Sequence, residues 1–197
     1  GRTGQGRDIG TDSRKRPELG RIHDGCIAEV VFFTLHPGLR MMVMTKDALG
    51  DRMKGKYEDP FRLTLPQRTN LIVRVDGRAF HKYTKGFTRP FDSTLHSAMV
   101  HAAASTVEEI SGCKFAYGQS DEFSFLATDY DTHETQMWFG GNKAKIETIT
   151  SSIFTAHFNR YIWQITGTYK KIAMFDARAF IIPAQYEVVN YFIWRQQ

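Results

Sequence analysis

The sequence predicts an α+β domain in the order βαββαβ, an antiparallel sheet with helices on one face. Three observations lead there. A β-branched run stops at an Asp-Gly pair, an amphipathic helix follows it, and a strand–turn–strand unit comes directly after that helix. A second helix and a last strand then repeat the alternation.

The elements can be justified in order. From Met44 the chain is polar and helix-forming, through Thr45-Lys46-Asp47-Ala48-Leu49 to Met53. Asn70-Leu71-Ile72-Val73-Arg74-Val75 reads as a strand ending at Asp76-Gly77. Thr94 to Ile110 reads as a helix, with Ala98, Met99, Ala102, Ala103, Thr106, Val107 and Ile110 as its apolar stripe. Asp92 or Ser93 can cap its start, and Gly112 supplies the stop. Lys114-Phe115-Ala116-Tyr117 is the next strand, Gly118-Gln119-Ser120 the turn, and Asp121 to Leu126 the returning strand. Gly140-Gly141 introduces a helix from Lys143 to Trp163. Ala173 to Ile182 is the last strand, and Pro183 opens a final helix that still runs at Gln197. This is the split arrangement of ferredoxin-like domains.

Composition narrows the class. Of 197 residues 42% are hydrophobic and 13% aromatic, enough to bury a core, so a mostly disordered chain is excluded. No run approaches the roughly 20 apolar residues of a membrane span. Cys26 and Cys113 are the only cysteines, which excludes a disulfide framework and predicts a cytoplasmic protein. The net charge of +5 admits a polyanionic partner. Residues 1–43 hold seven of the 16 glycines and no sustained periodicity, so they are expected to be a disordered or non-native extension ahead of a domain at 44–197.

Topology brings the first chemistry. The third strand lies antiparallel beside the first, so Asp76 at the end of one meets Asp121 at the start of the other. Two adjacent carboxylates repel, and a divalent cation with oxygen ligands relieves that repulsion. The Gly77 carbonyl offers a further ligand. Glu122 is adjacent, although strand alternation turns it to the other face from Asp121. Asp-Gly is also a common turn pair, and residue types alone leave a purely structural reading open.

Five ordered blocks resemble signatures of the tRNA-His guanylyltransferase superfamily. They are Arg74-Val75-Asp76-Gly77-Arg78-Ala79-Phe80-His81, Arg89-Pro90-Phe91-Asp92, Ala116-Tyr117-Gly118-Gln119-Ser120-Asp121-Glu122-Phe123, the helix around Lys145, Thr148 and Ser152, and Phe175-Asp176-Ala177-Arg178 with Trp194-Arg195-Gln196. The resemblance implies a polymerase-like palm that uses two Mg2+ ions to add nucleotides to the 5′ end of tRNA in the 3′-to-5′ direction, with ATP and GTP as substrates. Asp76 and Asp121 would then be catalytic and metal-binding, with Gly77 and Glu122 beside them. Phe80 and His81 would contact the nucleotide. Arg89 and Lys145 would neutralise triphosphate oxygens, Ser120 and Ser152 would donate hydrogen bonds, and Arg78 would assist. Relatives assemble as tetramers, which predicts a homo-oligomer without membrane attachment.

The chain departs from the family pattern at Gly141-Asn142-Lys143-Ala144, where many relatives carry paired arginines, and at Phe91. It is also expected to be a C-terminally incomplete copy. Two rival readings share the topology. A noncatalytic RNA-recognition module needs a platform of exposed aromatics, for which Phe115, Tyr117, Phe123 and Phe125 are the candidates. A nucleotide cyclase-like palm uses two strand-end aspartates as well, and the Tyr-Gly-Gln-Ser-Asp-Glu block argues against it.

Overall fold

A computed structural model describes residues 46–168 and 171–197. The expected extension at 1–43, with Cys26, lies outside the described residues. An exposed helix α1, Lys46–Met53, leads through a wide turn at Lys54–Glu58 and a 3-10 turn at Asp59–Phe61 to strand β1, Asn70–Gly77. A single turn of helix, α2 at Phe80–Tyr83, precedes the long helix α3, Ser93–Glu109. The hairpin β2, Cys113–Gln119, and β3, Glu122–Thr128, follows. Helix α4, Lys143–Thr166, strand β4, Phe175–Ile182, and helix α5, Gln185–Gln196, complete the order.

The sheet runs β2-β3-β1-β4, with every neighbouring pair antiparallel. Alternation along β1 sorts its side chains between two cores. Leu71, Val73 and Val75 point to α3 and α4, where they meet Met99, Phe154 and Phe158. Ile72 points the other way, to Val188, Tyr191 and Phe192. The two crossover helices thus share one face as the topology requires, while α5 departs from a one-face arrangement and covers the second. Its reason is apolar: Ile72, Leu126 and Phe180 would otherwise face water.

Local signals explain the ends of the elements. Asp92 caps α3, one carboxylate oxygen accepting the Leu95 N–H at 3.0 Å and the other the Thr88 N–H at 3.0 Å. Asn142 caps α4 by accepting the Lys145 N–H at 3.1 Å. After α4, the buried Asn159 side chain donates to the Ala173 carbonyl at 2.9 Å and accepts its N–H at 2.9 Å. That pair of bonds fixes where the chain enters β4.

One turn sits later than the sequence predicts. β2 continues through Gly118 and Gln119, leaving Ser120-Asp121 as the turn, and β3 begins at Glu122. Gly118 pairs with Phe123 inside the hairpin, where an added Cβ would lie 2.3 Å from the Phe123 ring. The glycine makes room for an aromatic ring, and Ser120, at φ 58°, makes the left-handed turn instead.

Candidate active site

The ends of β1 and β4 and the β2–β3 turn meet at one edge of the sheet. The Gly77 N–H donates to the Asp121 carbonyl at 3.1 Å, which joins the Asp-Gly pair to the hairpin turn. In the ladders Asp76 stands opposite Glu122 on one side and opposite Asp176 on the other. Burial, then Asp121, then Asp176, hold the Asp76 carboxyl above its ordinary range, and Arg74 and Arg178 only partly offset them. The structure therefore brings Asp76, Gly77 and Asp121 together.

An open cleft of about 690 Å³ adjoins this edge. Gly77, His81, Phe91, His96, Ser120 and Asp121 are among its walls. Ala79, at φ 50°, bends the chain away from β1 so that α2 forms part of the wall. Phe80 contributes to that wall from a buried position, packed on Tyr83, Phe158 and Phe175. His81 is exposed. Ser120 donates its hydroxyl to Asp121 Oδ1 at 3.1 Å. Arg89 is exposed beside Pro90 and Phe91 of the wall, and Arg78, also exposed, lies next to Gly77 with its backbone N–H on the Met174 carbonyl at 2.8 Å.

Three expected residues have contacts of their own. Glu122 stands opposite Asp76 in the ladder and lines a hollow with Asp121, and its carboxylate lies 2.6 Å from Arg195 Nη2 and 3.5 Å from Arg74 Nε, on the face covered by α5. Burial still raises its carboxyl above the ordinary value, although both arginines oppose the shift. Lys145 sits on the first turn of α4. Glu147, two residues on, accepts the Ala179 N–H at 2.8 Å, and Ala179 is three residues past Asp176, about 10 Å along β4. Ser152 is exposed on α4 and donates to its own helix, at the Thr148 carbonyl, at 2.7 Å.

Two site features escaped the sequence reading. Asp176 reads in the sequence as part of a strand and of a resemblance block, with no role of its own, and its approach to Asp76 depends on the β1–β4 register. Arg195 meets Glu122 only because α5 folds back over the sheet. That same helix removes the platform an RNA-recognition module needs. Phe115 and Tyr117 pack against Phe192 of α5, while Phe123 and Phe125 face the other core, so the four aromatics do not share one open surface.

The donor set suits a hard cation. Asp76, Asp121 and the Gly77 carbonyl supply oxygen, and burial together with the Asp121 and Asp176 charges lifts Asp76, which a bound cation would reverse. Among the described residues no group of three or more His, Cys, Asp and Glu side chains is arranged to hold a metal. Magnesium suits such a sparse set, since it takes one or two protein carboxylates and completes its shell with water and substrate phosphates.

The chain is similar to proteins of one family. The family model for tRNAHis guanylyltransferase (Thg1) matches residues 50–183. An uncharacterized protein of Acanthamoeba polyphaga mimivirus is 29% identical over 170 residues, covering 76% of this chain and 58% of its own. The tRNA(His) guanylyltransferase of Debaryomyces hansenii is 32% identical over 135 residues, covering 65% and 49%. A bacterial Thg1-like protein solved in complex with GTP superposes with a TM-score of 0.72 at 47% identity, covering 76% of this chain and 70% of that one. The chain spans about half the length of the curated relatives it matches.

Proposed function

The chain belongs to the tRNA-His guanylyltransferase family, and from that premise we propose that it is a magnesium-dependent nucleotidyltransferase adding nucleotides to the 5′ end of tRNA in the 3′-to-5′ direction. Guanylylation of tRNA-His and repair of tRNA 5′ ends are the two forms this activity takes. The observation that carries the reading is the meeting of Asp76 and Asp121 at the open edge of the sheet, beside a cleft of nucleotide size. In this proposal the domain is residues 44–197 and the protein a cytoplasmic homo-oligomer. Among the described residues no helix is long and apolar enough to cross a membrane.

Asp76 and Asp121, with the Gly77 carbonyl, would hold two magnesium ions. When bound, such ions lower the pKa of an attacking hydroxyl and offset charge on the leaving group. The chain's own residues position the reactants. His81 and Phe91 flank the cleft where a base would lie, Ser120 can donate to a phosphate oxygen, and Arg89 and Arg78 supply positive charge at the rim. Lys145, on the first turn of α4, and the exposed Ser152, two turns on, complete the proposed phosphate contacts.

The chemistry is two displacements at phosphorus. A 5′-monophosphate oxygen of the tRNA attacks the α-phosphorus of ATP, releasing pyrophosphate and leaving an adenylylated end. The 3′-hydroxyl of GTP or another nucleoside triphosphate then attacks the activated 5′ phosphorus, losing its proton and displacing AMP. A 5′-triphosphate end needs no activation and releases pyrophosphate directly. The test incubates the full 197-residue chain with Mg2+, ATP, labelled GTP and a tRNA lacking its first nucleotide. Label at the 5′ end, lost in Asp76→Ala and Asp121→Ala, supports the proposal; label that survives both substitutions rejects it.

A further inference from the structure

The loop between α2 and α3 separates two depressions. One is the reaction cleft; the other is a hollow of about 360 Å³ with Lys85, Phe87, Thr168 and Lys171 in its wall. Asp92 borders both, so the two lie side by side. Lys82, Lys85, Arg89 and Lys171 are exposed around the loop. None forms an ion pair among the described residues, whereas Lys114 pairs with Asp131 and Lys143 with Glu147. The Lys171 ammonium also donates to the Lys82 carbonyl at 2.8 Å, which ties it to α2.

Asp92 is the one carboxylate among the described residues of that wall; one of its oxygens accepts the Leu95 N–H in the first turn of α3 and the other the Thr88 N–H of the loop. Its charge is turned inward against the positive end of the helix. What remains facing solvent is a group of cations without protein counter-ions, next to the place where a 5′ end would react.

We infer that this basic loop and hollow hold the sugar-phosphate backbone of the RNA whose 5′ end lies in the cleft, an inference that rests on the nucleotidyltransferase reading of that cleft. Lysines bind phosphates as point charges and impose no base sequence, so the surface holds any RNA of suitable shape. A concave wall backed by Phe87 and Ile162 suits a strand better than the flat surface of an anionic membrane.

The experiment measures binding of the full chain to a 5′-monophosphorylated tRNA transcript by fluorescence anisotropy across a salt series, alongside GTP binding and anionic phosphatidylserine vesicles. Lys85→Glu and Lys171→Glu are compared with Lys114→Glu, which reverses a charge on the β2 edge. Lys85→Gln serves if either reversal fails to fold by circular dichroism. Each loop variant is expected to weaken tRNA about fivefold or more and to lower the slope of log K against log salt by nearly one, with GTP affinity unchanged. In turnover, KM for tRNA rises while kcat holds. Wild-type tRNA affinity and slope in the loop variants would overturn the inference, as would vesicle binding without tRNA binding. If the loop variants lose tRNA while the wild-type chain transfers no nucleotide, the surface stands and the proposed activity falls.

Discussion

Glu122 and Arg195 are joined by a 2.6 Å contact between Oε2 and NH2, which fastens the last turn of α5 to the start of β3. Arg74 lies second to that carboxylate at 3.5 Å, and its Nε makes no hydrogen bond. Arg195→Ala therefore leaves a largely buried carboxylate with its weaker partner and should lower stability by about 1–3 kcal/mol in urea unfolding. Adding Glu122→Gln to that variant should recover part of the loss. Equal losses from the single and double variants would show that the contact contributes little.

Asp76 links the site to stability through pH. Its carboxyl is raised in the folded state, so the fold binds that proton more tightly than the unfolded chain does. The contribution is fully present below the ordinary value of 3.8 and is lost as pH rises through the raised folded value. At neutral pH the ionised Asp76 consequently destabilises the fold. Asp76→Asn should raise Tm at pH 7, by an amount worth less than about 1 kcal/mol given solvent screening. The gap should close as the pH is lowered towards 4. Thermal melts of both proteins across that range check the sign.

Magnesium should reverse the same strain. A ligand at ten times its Kd stabilises a fold by about 1.4 kcal/mol. The melting temperature of the wild-type chain should rise with added MgCl2 and return with EDTA. In Asp76→Asn/Asp121→Asn the rise should vanish. A rise that persists in the double variant would place the ion elsewhere.

Gly112 tests the link between α3 and β2. It has φ 76°, and a Cβ there would stand 2.3 Å from the Thr128 carbonyl oxygen, a backbone atom that cannot swing aside. Gly112→Ala should cost about 1–3 kcal/mol, read from the urea midpoint. Gly86→Ala, also at positive φ but with open space around it, separates the conformational part from the clash.

Much of this was legible in the chain. β1 announced itself by β-branched residues, α3 by its stripe and its Asp92 cap, and the pairing of Asp76 with the β2–β3 turn followed from topology alone. What escaped depends on contacts between distant segments. α2 is four residues long and is held by burial of Phe80 and Tyr83 rather than by helix propensity, so it carries no period. Gly118 read as a turn residue because its service to the Phe123 ring appears only once the hairpin has a register. The resemblance supplied Lys145 and Ser152; residue types alone do not show that α4 runs from Ala179, met by Glu147, to Phe175, met by Thr155.

The Asn159 clamp on Ala173 has a consequence for fidelity. Three residues after Ala173 comes Asp176, which the ladder sets opposite Asp76. Because side chains alternate, a slip of β4 by one position would turn Asp176 into the apolar core and swing Phe175 out to solvent. The two hydrogen bonds made by Asn159 hold the strand at its entry against that slip. A buried amide on α4 thereby decides which side chain Asp76 confronts.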